Sequence, residues 1–421
     1  MITLYNILQL LLLPILFLPL AVFVMLVRKY RLRTLRRLGF DLPHTRSSQQ
    51  KKTLWIHALS VGEVTSALPL VSGLRKKMPD VRLVFSTSTR AGAQVAEKLL
   101  HDKVDCFLPF PLDILPVVTR FLTVIRPDLF ILVETDFWPN ILTTLRRKKI
   151  PTLLVNGRIS EKSMRSYQRF SFFFKPLFSS FQALSMQTEK DRQNLILLGV
   201  DQRQVHTFGN LKYDTALYNS PGCTPSLSFS LPKHQLLLVA GSTHEGEEKI
   251  VLQSYVTLKK QIPGLYLIIA PRDIDRGRDL QALASTMDLM ANCRSIINAG
   301  GKDLFILDTI GELNNAYSHA DLAFVGGSLV AKGGHNPIEP AVVGLPVLYG
   351  PHMEDFSEIS AELVIAGGAT VVQNKDDLTG TLLRFLQDSQ LRKNSGEAAR
   401  ACIARQQGVI DRHIKLINEM L

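Results

Sequence analysis

Cysteine is scarce, and its placement excludes cross-linking as an organising principle. The four cysteines, Cys106, Cys223, Cys293 and Cys402, stand far apart and form no CxxC pair. That spacing rules against a disulfide framework and a thiolate zinc site, and makes a reducing compartment the expectation. No GxGxxG and no GxxxxGK[ST] occurs, so dinucleotide-binding and P-loop NTPase readings lose their signature. His57, His244 and His335 are scattered along the chain. No His/Asp/Glu set has a clear metal spacing, and these histidines read as structural or ligand-orienting groups. Acidic residues are outnumbered, leaving a net charge of +12. The excess is not interleaved with aromatics and accompanies no nucleic-acid motif, so nucleic acid is not an expected partner.

What is present in quantity is apolar sequence. Of 421 residues 46% are hydrophobic, enough for sizeable cores in two or three domains. Leu4 to Val27 carries no charge. At about 1.5 Å per residue a helix of that length crosses a hydrocarbon core of roughly 30 Å. The cluster Arg28-Lys29-Tyr30-Arg31-Leu32-Arg33 and the pair Arg36-Arg37 follow the apolar run. A secretory signal has its charge in front and a cleavage site behind. The positive-inside rule then places the rest of the chain in the cytoplasm, with the basic cluster against anionic head groups. Pro14 and Pro19 leave open a helix that lies on the membrane instead of spanning it.

Strand-like and helix-like runs then alternate, the pattern of parallel, doubly wound sheets. Ligands of such sheets gather at strand C-termini, and short polar motifs fall there. Leu54–His57 runs into Ser60-Val61-Gly62-Glu63, which puts Glu63 at a helix start. A helix N-terminus favours an ionised carboxylate, and a carboxylate held charged can act as a general base; taken alone, the residue reads first as a first-turn glutamate with a dipole role. The strand Asp128–Val133 ends in Glu134-Thr135-Asp136-Phe137-Trp138-Pro139-Asn140. Thr152–Val155 leads into Asn156-Gly157-Arg158-Ile159-Ser160. Val205–Phe208 leads into Gly209-Asn210-Leu211-Lys212-Tyr213-Asp214, where Lys212 is either a surface lysine or an anion ligand.

Tyr218 to Pro232 is rich in Ser, Pro and Gly without charge and reads as a linker. Beyond it come Gly241-Ser242-Thr243-His244-Glu245-Gly246-Glu247, Pro271-Arg272, and Asp308-Thr309-Ile310-Gly311-Glu312-Leu313. The guanidinium of Arg272 suits two phosphate oxygens, though a solvated surface arginine is an equal reading. The densest motif is Phe324 to Pro351, FVGGSLVAKGGHNPIEPAVVGLPVLYGP. It reads as strand Leu322–Val325, glycine loop, helix from Ile338 to Val343 with Asn336 as N-cap and Pro337 in the first turn, then strand Leu345–Leu348. Loop N–H groups and the helix N-terminus offer a phosphate seat. Glu339 could accept hydrogen bonds from ribose hydroxyls.

Taken in order, WIHALSVGE, ETDFWPN, NGRIS, GNLKYD, AGSTHEGEE, DTIGEL and FVGGSLVAKGGHNPIEPA resemble the 3-deoxy-D-manno-octulosonic acid (Kdo) transferases of lipopolysaccharide synthesis. The resemblance covers nearly the whole chain. It implies an α/β GT-B fold: two doubly wound Rossmann-like domains facing a cleft, with an N-terminal apolar membrane-anchor helix. The corresponding divisions are anchor and basic stem 1–40, acceptor-side domain 50–217, linker 218–233, CMP-sugar-binding domain 234–390 and C-terminal helices 391–421. It implies CMP-Kdo as donor, a lipid A precursor (lipid IVA) as acceptor, an inner-membrane location facing the cytoplasm, and no metal or other cofactor. By the same resemblance Glu63 matches the general base, Glu134 and Lys212 match positions that stabilise the transition state, and Pro271, Arg272, Ile310, Gly311, Glu312, Asn336, Pro337, Ile338 and Glu339 match the CMP-holding segments. Asp273-Ile274 after the Pro-Arg pair, and Asp136-Phe137 before Trp138, depart from the family pattern. The alternatives are another GT-B sugar-nucleotide transferase or epimerase, and a non-catalytic membrane-tethered nucleotide-binding protein.

Overall fold

A computed structural model of the chain describes residues 3, 5–12, 28–42, 51–134, 137–214, 229–233, 236–297 and 299–421. The chain forms two compact units, one of Met1–Tyr218 with Gly408–Leu421 and one of Asn219–Gln407. Each is built on a seven-stranded parallel sheet.

In the first unit the strands are β1 (Thr53–Ala58), β2 (Arg82–Thr87), β3 (Cys106–Pro109), β4 (Leu129–Val133), β5 (Thr152–Gly157), β6 (Ala183–Met186) and β7 (Val205–Thr207). Their spatial order is β3-β2-β1-β4-β5-β6-β7. The central strands are buried along their whole length, as their near-continuous apolar sequences require when helices cover both faces. Strand order reverses between β1 and β4, which pair in register from Leu54↔Leu129 to His57↔Leu132. His57 is fully buried, stacked on Phe110 with centroids 3.6 Å apart and 3.0 Å from Ser86 O through Nδ1. Burial holds its pKa down to about 3, so this histidine is a neutral core group.

In the second unit the strands are β8 (Leu236–Thr243), β9 (Leu265–Pro271), β10 (Ala291–Cys293), β11 (Leu304–Ile306), β12 (Leu322–Val325), β13 (Val347–Tyr349) and β14 (Ala369–Val371), in the order β10-β11-β9-β8-β12-β13-β14. The order reverses between β8 and β12. Two edge strands, β10 and β14, have three residues each and were not anticipated from sequence. The strand expected at Leu345–Leu348 lies at Val347–Tyr349, because Gly344 adopts φ 84° and the chain needs two more residues to re-enter the sheet.

The C-terminal stretch expected as one block, 391–421, divides. Ser389–Gln406 lies in the second unit, whereas Val409–Met420 packs on the first. Val409, Ile410, Ile414 and Ile417 of that last helix join Val64, Ala67, Leu70 and Leu74 in one core cluster. Asp214 fixes its start by accepting from Gly408 N at 2.9 Å and Ile410 N at 2.7 Å.

Of the apolar run Leu4–Val27, residues 4 and 13–27 lie outside the described residues, as does part of the expected linker 218–233. Among the described residues no helix is long and apolar enough to cross a membrane, so the expected spanning helix is without support here. Residues 5–12 are helical. Tyr5 Oη donates to Asp113 Oδ2 (3.1 Å) and Gln9 Nε2 to Asp113 O (3.0 Å), while Ile7, Leu8, Leu10 and Leu11 are at least half exposed.

Candidate active site

In the first unit, two carboxylates sit at the strands that flank the reversal, the position where open α/β sheets take ligands. The helix Val61–Lys77 follows β1 with Ser60 at its N-cap and Glu63 in its first turn. One oxygen of Glu63 accepts from Leu59 N, and the other faces Ser60 Oγ at 3.4 Å. The carboxylate is thus turned back over the strand–helix corner. One helical turn on, on the same face, Ser66 donates its hydroxyl to Glu134.

Glu134 follows β4 with φ 61°, a left-handed conformation that costs a residue with a Cβ on the order of 1–3 kcal/mol. Burial pushes its carboxyl above the ordinary range, opposed by Ser66, the Lys212 charge, Asn156 and the Arg158 charge. Asn156, buried and itself at φ 57°, connects these groups. Its Nδ2 donates to Glu134 Oε1 (3.4 Å) and its Oδ1 accepts from Leu211 N (3.1 Å). Gln187 Nε2 donates to Asn156 O (3.0 Å), and Asn210 Nδ2 donates to Gln187 Oε1 (3.0 Å). Asn210 Oδ1 then accepts from Lys212 N (2.9 Å). The turn carrying Lys212 is therefore suspended from the same amide that orients Glu134. The sequence motif containing Asn156 was visible, but its bridging role and the parts of Ser66 and Gln187 were not. Thr135 and Asp136 lie outside the described residues.

In the second unit, Pro271 ends β9 and Arg272 N donates to Thr243 O at 2.8 Å. The Arg272 side chain is exposed, and its charge acts on His244, His335 and Glu339. The short helix Ile338–Val342 has Pro337, not Asn336, at its N-cap. Asn336, one residue earlier, accepts from Ile338 N (3.1 Å) through Oδ1 and donates to Glu339 Oε1 (3.2 Å) through Nδ2. Burial raises the Glu339 carboxyl, opposed by Asn336 and Arg272. The Ile338 side chain is fully buried, so only its backbone is available to a ligand. Ile310, Gly311 and Glu312 form a separate turn. Ile310 is 73% exposed, Gly311 has φ 94° with open space where a Cβ would stand, and Glu312 pairs with Arg294 at 3.0 Å.

The glycine loop itself differs from expectation. Its N–H groups are already occupied by a carboxylate from within the protein. Glu247, fully buried, accepts from Gly327 N (2.5 Å), Ser328 N (3.3 Å), Leu329 N (3.2 Å) and His244 N (2.9 Å). Gly326 leaves no room for a side chain, its Cβ position lying 2.5 Å from Ser242 O. The loop is an anion nest, and its anion is Glu247. What the loop exposes instead is a histidine pair: His244 and His335, distant in sequence, meet with Nε2 atoms 2.8 Å apart.

Comparison with known proteins agrees with this architecture. A family profile described as 3-Deoxy-D-manno-octulosonic-acid transferase (kdotransferase) matches residues 33–215. The chain is 30% identical over 397 residues to the 3-deoxy-D-manno-octulosonic acid transferase of Haemophilus influenzae, covering 93% of this chain and 92% of that protein. It is 30% identical to the enzyme of the same name from Rickettsia bellii, covering 100% of this chain and 99% of that one. Among solved structures, the UDP-GlcNAc 2-epimerase of Neisseria meningitidis bound to UDP-GlcNAc superposes with TM-score 0.56 at 15% identity, over 88% of this chain and 99% of that one. That likeness concerns the fold alone, the two-sheet α/β architecture of the GT-B class. Full-length similarity of this degree makes the chain a member of the 3-deoxy-D-manno-octulosonic acid transferase family.

Proposed function

We propose that this chain is an inverting glycosyltransferase that moves Kdo from CMP-Kdo to a lipid A precursor, lipid IVA, in lipopolysaccharide synthesis. The observation that carries this reading is the pair of carboxylates at the first unit's strand-order reversal, Glu63 after β1 and Glu134 after β4, with Ser66, one helical turn after Glu63, donating to Glu134. The names of the full-length relatives supply the sugar.

Glu63 takes the proton from the attacking sugar hydroxyl, a general-base contribution of about 10²–10⁴ in rate. Attack from the face opposite the leaving phosphate inverts the anomeric centre. Glu134 and Lys212 stabilise the charge that develops at the oxocarbenium-like carbon and its carboxylate. In the second unit Arg272 holds the phosphate, Glu339 and Asn336 receive ribose hydroxyls, and the Pro271, Ile310–Glu312 and Pro337–Ile338 backbone completes the CMP site. Positive charge comes from side chains, so no metal is needed. The N-terminal apolar stretch and the basic helix Arg28–Arg37 hold the enzyme at the cytoplasmic face of the inner membrane, near an acceptor that cannot leave it.

The test is transfer from CMP-Kdo to a tetraacylated lipid A precursor, resolved by mass, with and without a chelator. Product from wild type, unaffected by chelation and absent with Glu63→Ala, is the expected result. No product from wild type that still binds CMP would overturn the acceptor. Loss of product on chelation would overturn the metal-free mechanism.

A further inference from the structure

The second unit holds a pair of titratable groups that the mechanism above does not use. His244 follows β8 and His335 precedes Asn336, so both stand at the strand-order reversal of the second sheet. Their rings are 8° from parallel, and their Nε2 atoms are 2.8 Å apart. Both imidazoles pack on Gly327, whose Cβ position would fall 3.0 Å from His335 Cδ2 and 3.5 Å from His244 Cδ2. Arg272 acts on both rings from β9, Lys332 acts on His244 from the glycine loop, and Arg276 acts on it from the turn after β9. Arg276 is itself neutralised by Glu248 (2.6 Å) and Glu245 (3.0 Å). Glu247, at the base of the loop, is spent on four backbone N–H groups, Glu339 is tied to Asn336, and the Asp355 carboxylate lies against the loop at Gly333. Arg272 makes no hydrogen bond or ion pair to another side chain among the described residues. The corner places Arg272 and Lys332 beside a proton-sharing pair, with the Glu339 carboxyl in reach of the Arg272 charge.

Tautomer logic defines what this pair can hold. With both rings neutral, one Nε2–H donates to the other Nε2, so the acceptor ring must carry its proton on Nδ1. The pair then presents one Nδ1–H and one bare Nδ1. A single added proton fills the bare Nδ1, keeps the Nε2–H···Nε2 bond, and turns the pair into a monocation with two Nδ1–H donors. A second proton would break the bond.

We propose that the His244–His335 pair takes up one proton when the nucleotide phosphate binds beside Arg272, and as a monocation offers an Nδ1–H to the departing phosphate. This inference rests on the CMP-donor reading. The stoichiometry fits the transfer. In the donor the phosphate is a diester with one negative charge. When the anomeric C–O bond breaks, its electron pair stays on the phosphate oxygen and CMP leaves as a monoester with two, so the proton taken up by the pair matches the charge gained. Without ligand the surroundings favour the neutral pair: burial and the neighbouring cations lower His244, and hold His335 near about 4. A bound anion reverses that balance. Proton and nucleotide therefore bind with positive coupling, and by reciprocity CMP affinity falls as pH rises through the liganded pair's pKa.

The experiment is titration calorimetry of the whole protein with CMP near pH 7, about one unit above the ~6 second pKa of a phosphate monoester, in two buffers of different ionisation enthalpy. Wild type should take up between about half and one proton per CMP. His335→Gln and His244→Gln should still bind CMP, more weakly, with uptake near zero. Either variant alone suffices if the other fails to fold. CMP binding with no proton uptake in wild type, or with uptake unchanged in the variants, overturns the inference and leaves the donor assignment intact. Absence of CMP binding in wild type overturns the donor assignment and the inference with it.

Discussion

Each unit holds a glutamate at the reversal of its sheet, Glu247 fully buried and Glu134 half-buried, and the two are satisfied in opposite ways. Glu247 is surrounded by backbone: four N–H groups converge on its two oxygens. Glu134 is surrounded by side chains, Ser66 and Asn156 by hydrogen bond and Lys212 and Arg158 by charge, and its own backbone is left-handed. Backbone donors cannot move or change sign, so Glu247 is a fixed acceptor that shapes a loop. Hydroxyl, amide and lysine partners can rotate or exchange, and a strained backbone is kept only where something requires it. The comparison separates a carboxylate that shapes a loop from one that the proposed mechanism uses.

Three substitutions test that separation. The largest effect is expected on catalysis, from Glu63→Gln. The amide oxygen can still accept from Leu59 N, so folding should persist, while loss of the base costs about 10²–10⁴ in turnover. Unchanged turnover in a steady-state transfer assay would return Glu63 to a purely structural role at the helix start. Next comes Glu247→Gln. An amide nitrogen there faces N–H donors and strands two of them, at about 1–3 kcal/mol each. Chemical denaturation should show a loss of several kcal/mol, and a loss under 1 kcal/mol would remove the nest from the account. A smaller stability effect, accompanied by loss of CMP affinity, is expected of Gly327→Ala. Its φ of 68° and the histidine pair leave a methyl group no comfortable place, and the cost should be about 1–2 kcal/mol. Calorimetry of CMP binding, with the melting temperature as control, measures both effects.

The pH dependence has a definite sign. Burial raises Glu134 and Glu247 above their ordinary values. A carboxyl whose folded pKa exceeds its unfolded one favours folding most below the unfolded pKa, about 4.3 for glutamate, and that contribution is lost as pH rises through the folded value. Ionising Glu134 is therefore a cost to folding.

How much of this was legible in sequence differs between the two units. The alternation of apolar runs with helix-like segments gave both sheets, because parallel strands buried on two faces leave a strong signal. Glu63, Glu134 and Lys212 were singled out because each belongs to a polar motif that follows a strand. Asn156 was seen only as part of a turn: an amide that joins groups 22 and 55 residues away leaves no local pattern. The glycine loop was read as an empty phosphate seat because its N–H groups were visible and their occupant, some 80 residues upstream, was not. His244 and His335, 91 residues apart, looked scattered for the same reason. The three-residue edge strands β10 and β14 were not read in the sequence, whereas β7, equally short, was. The destination of the last helix depended on Asp214, across the chain, to cap it.

The measurement that bears most directly on the difference between the two glutamates is melting temperature and Kdo turnover of Glu134→Gln, recorded together at neutral pH. Ser66 can rotate to suit the amide, and a buried charge is removed. The account predicts a melting temperature equal to or above that of wild type, with turnover reduced at least tenfold. A melting temperature that falls in step with turnover would contradict it, making Glu134 a structural carboxylate of the same kind as Glu247.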